Sequence, residues 1–294
     1  MGSRSRRHLG VVLVSSAAAV IVAGCGASGG APTPRAPSGP VQVAEPGLPS
    51  VHIHGMGRDP GDGTLYLATH EGLFRQAEGA WRRVGPAIDL MGFAVAGSGR
   101  FLASGHPGAG VDLPQPAGLL ESKDAGVSWV IRSRGGESDF HALTSSPSGV
   151  LAYDGVLRGT SDGVSWRDLP FAGEPRSLSA SPDGASVLAT TAEGLRASAD
   201  HGATWSSVAD SPLLLLVTWA DATTAVGVTP EGTVAVSTDG GARWTSGTAS
   251  VVDPPQAVAA TRRADGTLEI LVVSSGGVRQ SLDSGDSFAA LAPE

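Results

Sequence analysis

"SADHGATW", residues 198–205, recurs four more times along this 294-residue chain. The copies are "SKDAGVSW" from Ser122, "TSDGVSW" from Thr160, "STDGGARW" from Ser237 and "SLDSGDSF" from Ser281, and a worn copy, "RQAEGAW", ends at Trp81. The closing aromatics, Trp81, Trp129, Trp166, Trp205, Trp244 and Phe288, are spaced by 48, 37, 39, 39 and 44 residues. A period of about 40 signals an array of supersecondary units. Between the turns lie short runs of Val, Leu, Ala and Thr broken by Gly, Pro and Asp, with no helical period. One unit reads "RSLSAS", "PDG", "SVLATT", "AEG", "LRASA", the Asp turn, then "SSVAD". Four strands repeated six times predict an all-β chain: a six-bladed β-propeller of four-stranded antiparallel blades.

The turn resembles the Asp-box, or BNR repeat, of sialidases and related propellers. Asp124, Asp162, Asp200, Asp239 and Asp283 are placed to accept hydrogen bonds from their own turns. The glycine permits a positive φ, and the aromatic ring packs under the hairpin. These are structural duties, and the resemblance implies an active site away from the boxes.

The N-terminus reads as an address. Arg4, Arg6 and Arg7 precede an uncharged run from Leu9 to Val22, the form of a secretory signal. It ends in "VAGC", which resembles the lipobox of bacterial lipoproteins, with Cys25 as the only cysteine of the chain. "SRRHL" from Ser5 faintly resembles a twin-arginine leader. The organisation expected is a signal peptide over 1–24, a Gly/Ala/Pro-rich tether over 25–48 and the propeller over 49–294. The protein would then sit on the extracytoplasmic face of the cell membrane, held through acylated Cys25. Without the three leader arginines the formal charge of −8 becomes −11. That argues against nucleic acid as a partner and leaves attachment to the acyl chains.

The Asp turn joins the third and fourth strands of each unit. The turns between strands two and three, and the crossings between units, therefore fall on the opposite face, where ligand sites of such propellers lie. Aligning the repeats on the glycine that starts strand three places His52, Asp89, Asp139 and Glu174 at one level of that face. His54, Met91, His141 and Arg176 come two residues deeper, and period two keeps each pair on one side of its strand. His70 and His106 fall in turns between strands two and three of the first two units. Five of the six histidines after the leader thus map to one mouth, and His201 falls opposite as a solvent-exposed filler. Arg176 is the one arginine the alignment puts clearly on the open face.

Three readings of the mouth stay open. The side chains can satisfy backbone groups between blades. They can bind a transition metal through His54, His70, His106 and His141, with Asp89 and Asp139 as further ligands or acceptors. Imidazoles suit copper or zinc, and Met56 or Met91 would favour copper. Or they can bind or cleave a glycan, with His52, His54, Arg176 and Tyr153 as contacts and Asp89, Asp139, Asp154 and Glu174 as carboxylates, since glycoside hydrolysis needs one acid and one base or nucleophile.

The whole-chain pattern, "HIHGMGRDPGDGTLYLATHEGLF" followed by "SGHPG" and "DFHAL", resembles a family of bacterial secreted proteins labelled glycosyl hydrolase or exo-α-sialidase-like. The resemblance implies a glycoside hydrolase. The chain departs from the sialidase pattern, which needs three arginines around a carboxylate, a Tyr nucleophile with a Glu partner, an Asp acid and a Phe-Arg-Ile-Pro motif. That motif is missing, and of two tyrosines Tyr66 falls in a core strand. A third function, a scaffold for envelope protein assembly, is one that similar Asp-box propellers serve.

Overall fold

The computed structural model describes residues 47–292. The leader, Cys25 and the tether up to residue 46 lie outside the described residues. Twenty-four strands form six four-stranded antiparallel sheets, and no helix occurs among the described residues. Each sheet is one continuous piece of chain, 53–84, 88–133, 142–168, 177–207, 216–250 and 257–290, with its strands side by side in chain order. The fold is the expected six-bladed β-propeller.

The first strand of each blade lies innermost: Ile53–Arg58, Ile88–Gly97, Ala142–Ser146, Ser177–Ala180, Leu216–Trp219 and Ala257–Arg262. Each touches the next and the last touches the first, so together they line a central channel. The second strands Leu65–Thr69, Val187–Thr191 and Leu268–Ser274 are buried at every position. Neighbouring blades cover both of their faces, which is why they are mostly apolar on both sides rather than alternating. Tyr66 of blade 1, as expected, is core, with its ring edge-on to Phe101 of blade 2 at 4.8 Å.

The Asp turns are five copies of one hydrogen-bond set. In blade 4, Ser198 Oγ donates to Asp200 Oδ1 at 2.8 Å and accepts from Gly202 N at 2.8 Å, while Thr204 N and Oγ1 donate to Asp200 at 2.8 and 2.6 Å. Asp124 and Asp283 repeat this pattern with Ser128 and Ser287. Asp162 and Asp239 accept from the backbone of Ser165 and Arg243. Trp205 and Trp244 close the loop by donating Nε1–H to the carbonyls of Gly202 and Gly241, both at 3.0 Å. The glycine at the start of strand three has positive φ in all six blades, from +71° at Gly118 to +124° at Gly72. His201 corrects the sequence reading. It sits in the blade 4 turn at φ +58° and is half-buried, with both ring nitrogens shielded from water and without a partner among the described residues.

Because no strand is exchanged between blades, side chains close the ring between blades 6 and 1. Gln256 Oε1 accepts from Ile53 N at 2.7 Å. Glu269, only 3% exposed, accepts from Arg58 at 2.8 Å and from Arg263 and Gln280 at 2.6 Å each. Ile53, Leu65 and Leu67 of blade 1 pack on Ala257, Leu271 and Val273 of blade 6, and Leu48 joins that cluster from outside.

The Asp turns carry a pH signature. Hydrogen bonds from the Thr204 hydroxyl and amide hold Asp200 at about 2, and those from Ser287 hold Asp283 at about 2, below the ordinary 3.8. A carboxylate with a depressed folded pKa contributes stability that is complete above its unfolded pKa and is lost as pH falls through the folded one. Wild-type melting temperature should therefore fall between pH 4 and pH 2. Asp200→Asn should start lower at pH 7 and fall less across that window. Parallel curves for the two proteins would show that the turn contributes nothing through this carboxylate.

Candidate functional site

The open face carries a continuous chain of imidazoles and carboxylates across blades 1 to 3. His54, on the first strand of blade 1, puts Nε2 at 3.3 Å from His70 Nε2, with the two rings edge-to-face at 4.4 Å between centroids. The His52 ring stands edge-on to His70 from the other side at 5.3 Å. His70 Nδ1 lies 2.8 Å from Asp89 Oδ1. Asp89 Oδ2 is 3.8 Å from His106 Nδ1, and His106 Nε2 is 3.3 Å from Asp139 Oδ2. His141 Nε2 ends the chain 3.4 Å from that same oxygen, while Asp139 Oδ1 is shielded from water and has no partner among the described residues.

The backbone sets these positions. Asp89 and His106 face each other as paired residues of adjacent strands in blade 2. Gly105, at φ +152°, is required next to them, because a Cβ there would collide with the carbonyl of Asp89. An irregularity between Leu90 and Gly92 sets Met91 apart from the ladder. Met91 lines the channel with His54, Met56, His141, Arg176 and Gln256, in a cavity of about 740 Å³ to which all six inner strands contribute.

The donors divide into groups. His54, His70 and Asp89 place one ligand atom each within 4.8 Å of one another. His106 stands between Asp89 and Asp139, and His141 on the far side of Asp139. Tyr153, Asp154 and Glu174 line a separate groove of about 480 Å³ with Asp139, His141, Pro116 and Pro175. Asp154 is engaged there by Ser138 Oγ at 2.6 Å and Arg158 at 3.0 Å, with Arg134 at 4.0 Å. Arg134 and Arg158 were not foreseen as open-face residues. Arg158 approaches through the strand pairing after Asp154, and Arg134 through the crossing into blade 3. No repeat position marks either.

Ring protonation favours ligation at His54. Burial lowers its pKa from 6.5 to about 4, and His70 adds to this, partly offset by Asp89, with smaller lowering by His52 and Arg176. The ring is therefore neutral at ordinary pH and has a lone pair to offer. None of the five mouth histidines bonds a ring nitrogen to backbone among the described residues. Hydroxyls and an amide make such links instead: Ser104 to Phe140 N at 2.9 Å, Thr144 to Ala180 N at 2.9 Å, Thr190 to Leu215 O at 2.9 Å, and Gln256 to Ile53 N.

No family model matches the sequence, and no curated protein is similar to it at a significant level. Solved structures with the same fold are found. An ancestral GH74 enzyme superposes with a TM-score of 0.55 at 14% identity, over 83% of this chain and 38% of its own length. The chain thus spans about four tenths of that enzyme. YCF48 from Cyanidioschyzon merolae gives a TM-score of 0.52 at 15% identity, over 82% of this chain and 85% of its own. YCF48 bound to D1 peptide gives 0.51 at 16%, over 82% and 83%. At these identities the likeness concerns the fold.

Proposed function

We propose that this chain is a lipid-anchored, extracytoplasmic propeller that binds a transition-metal ion between His54 and His70. The observation that carries the reading is a pair of ring nitrogens 3.3 Å apart, one of them on a ring kept neutral by burial, with no backbone partner. Two nitrogens at that separation, each about 2.0–2.1 Å from an ion, subtend an angle of about 105–110° there, close to tetrahedral. Asp89, by accepting the Nδ1–H of His70, fixes the tautomer that presents Nε2 and raises its basicity. Imidazole suits zinc and copper alike, and Met56 and Met91 on the same channel wall would favour copper. His106, Asp139 and His141 extend the polar chain beyond the ion. Anchoring rests on the "VAGC" end of the leader and its single cysteine, Cys25.

A second reading, a glycoside hydrolase, is favoured by the groove in which Asp139, Asp154, Glu174 and Tyr153 lie together. Its weakness is Asp154, whose carboxylate is occupied by Ser138 and Arg158. The YCF48 complex shows that a propeller of similar length can hold a peptide, which supports a protein partner in the envelope as a third.

Zinc and copper titration of protein purified without a His tag tests the first reading. Wild type should bind a single equivalent tightly. His54→Ala and His70→Ala should lose most of that affinity, Asp89→Asn roughly 10–100-fold, and His141→Ala little. Equally weak binding by wild type and His54→Ala would remove the metal. Aryl-glycoside turnover that disappears in Glu174→Gln would favour the hydrolase instead. For the anchor, Cys25→Ala should shift the protein from the membrane fraction to the soluble one, and unchanged fractionation would contradict it.

A further inference from the structure

Three arginines line the central channel: Arg58, Arg100 and Arg176. The first two are paired with buried glutamates, Arg58 with Glu269 at 2.8 Å and Arg100 with Glu121 at 2.7 Å. Arg176 differs. Its side chain is exposed at the mouth, and its guanidinium has no hydrogen bond or ion pair among the described residues. Glu174 stands two residues earlier on the same strand approach, yet the two side chains do not pair.

Gln256 offers a second unused donor. Its Oε1 is committed to Ile53 N at 2.7 Å, which fixes the amide and leaves Nε2 without a partner among the described residues. Blade 4 stands opposite blade 1 in a six-bladed ring, so Arg176 faces His54 across the mouth, with Gln256 beside His54 on blade 6. A positive charge at Arg176 would oppose a metal cation at the His54–His70 pair. An anion lying between the two positive centres satisfies both.

We propose that Arg176 and Gln256 form an oxyanion-binding edge facing the His54–His70 pair, and that the ligand is a small molecule whose carboxylate or phosphate group docks on Arg176 while its other end completes the ion's coordination. The planar guanidinium fork matches either group bidentately, which an ammonium could not. The 740 Å³ cavity has room for a molecule of metabolite size. This ligand class rests on the metal reading, and the test separates the two.

The experiment is calorimetric titration of tag-free protein, with and without an equivalent of zinc, using succinate and inorganic phosphate as separate probes. Wild type and Arg176→Gln are compared, with Arg176→Lys as the conservative variant. Zinc-loaded wild type should bind at least one probe, at least tenfold more tightly than Arg176→Gln does, with Arg176→Lys in between. Zinc affinity measured without the probe should be unchanged or higher in Arg176→Gln, because a positive charge has been removed. Which probe binds decides between carboxylate and phosphate. If zinc fails to bind wild type but a probe still binds through Arg176, the anion edge stands and the metal reading falls. If zinc binds and Arg176→Gln takes up both probes as wild type does, or neither probe binds zinc-loaded wild type, the edge is overturned and the metal reading survives.

Discussion

Glu269 holds the seam of the ring. Its buried carboxylate gathers Arg58 from blade 1 and Arg263 and Gln280 from blade 6, and at the opposite end of the inner strands Gln256 accepts from the backbone of Ile53. Since every blade is a contiguous piece of chain, no shared strand locks the first blade to the last. Burial alone would raise the Glu269 pKa, but the bonds from Arg263 and Arg58 overcome it and keep the group charged. Removing one member of a buried ion pair costs roughly 3–5 kcal/mol, because it strands the other.

The mouth shows the same economy of polar groups. Hydroxyls of Ser104, Thr144 and Thr190 tie blade to blade, which frees the imidazoles from structural duty. The histidines instead alternate with Asp89 and Asp139 along three blades, so that each carboxylate lies between two imidazoles. Burial of His54 keeps its ring neutral, and the negative charge of Asp89 orients the next ring. Among the described residues, Arg176 then supplies an unpaired positive charge on the channel wall.

The scaffold was legible in the sequence because five blades carry an Asp turn and all six carry an aromatic and a glycine that takes positive φ before strand three. The repeat alignment also sent His52, His54, His70, His106 and His141 to one face, since alternation of strand ends is fixed by topology. It could not show how those side chains partition. His54 and His70 meet because the end of the second strand in blade 1 reaches the start of the first, whereas His106 and His141 are drawn to Asp139. The seam was invisible for a different reason. Arg58 and Glu269 are 211 residues apart, and no local pattern marks either as a partner of the other. Arg134, Arg158 and the half-buried ring of His201 depend on crossings and side-chain packing that vary from blade to blade.

The most direct test is an anomalous difference map from crystals soaked with zinc or copper, collected at the metal's absorption edge. The account predicts one strong peak about 2.0–2.2 Å from Nε2 of both His54 and His70, with Asp89 on the Nδ1 side of the His70 ring. A peak centred on His106, Asp139 and His141, or no peak at the mouth of a fully soaked crystal, would contradict it.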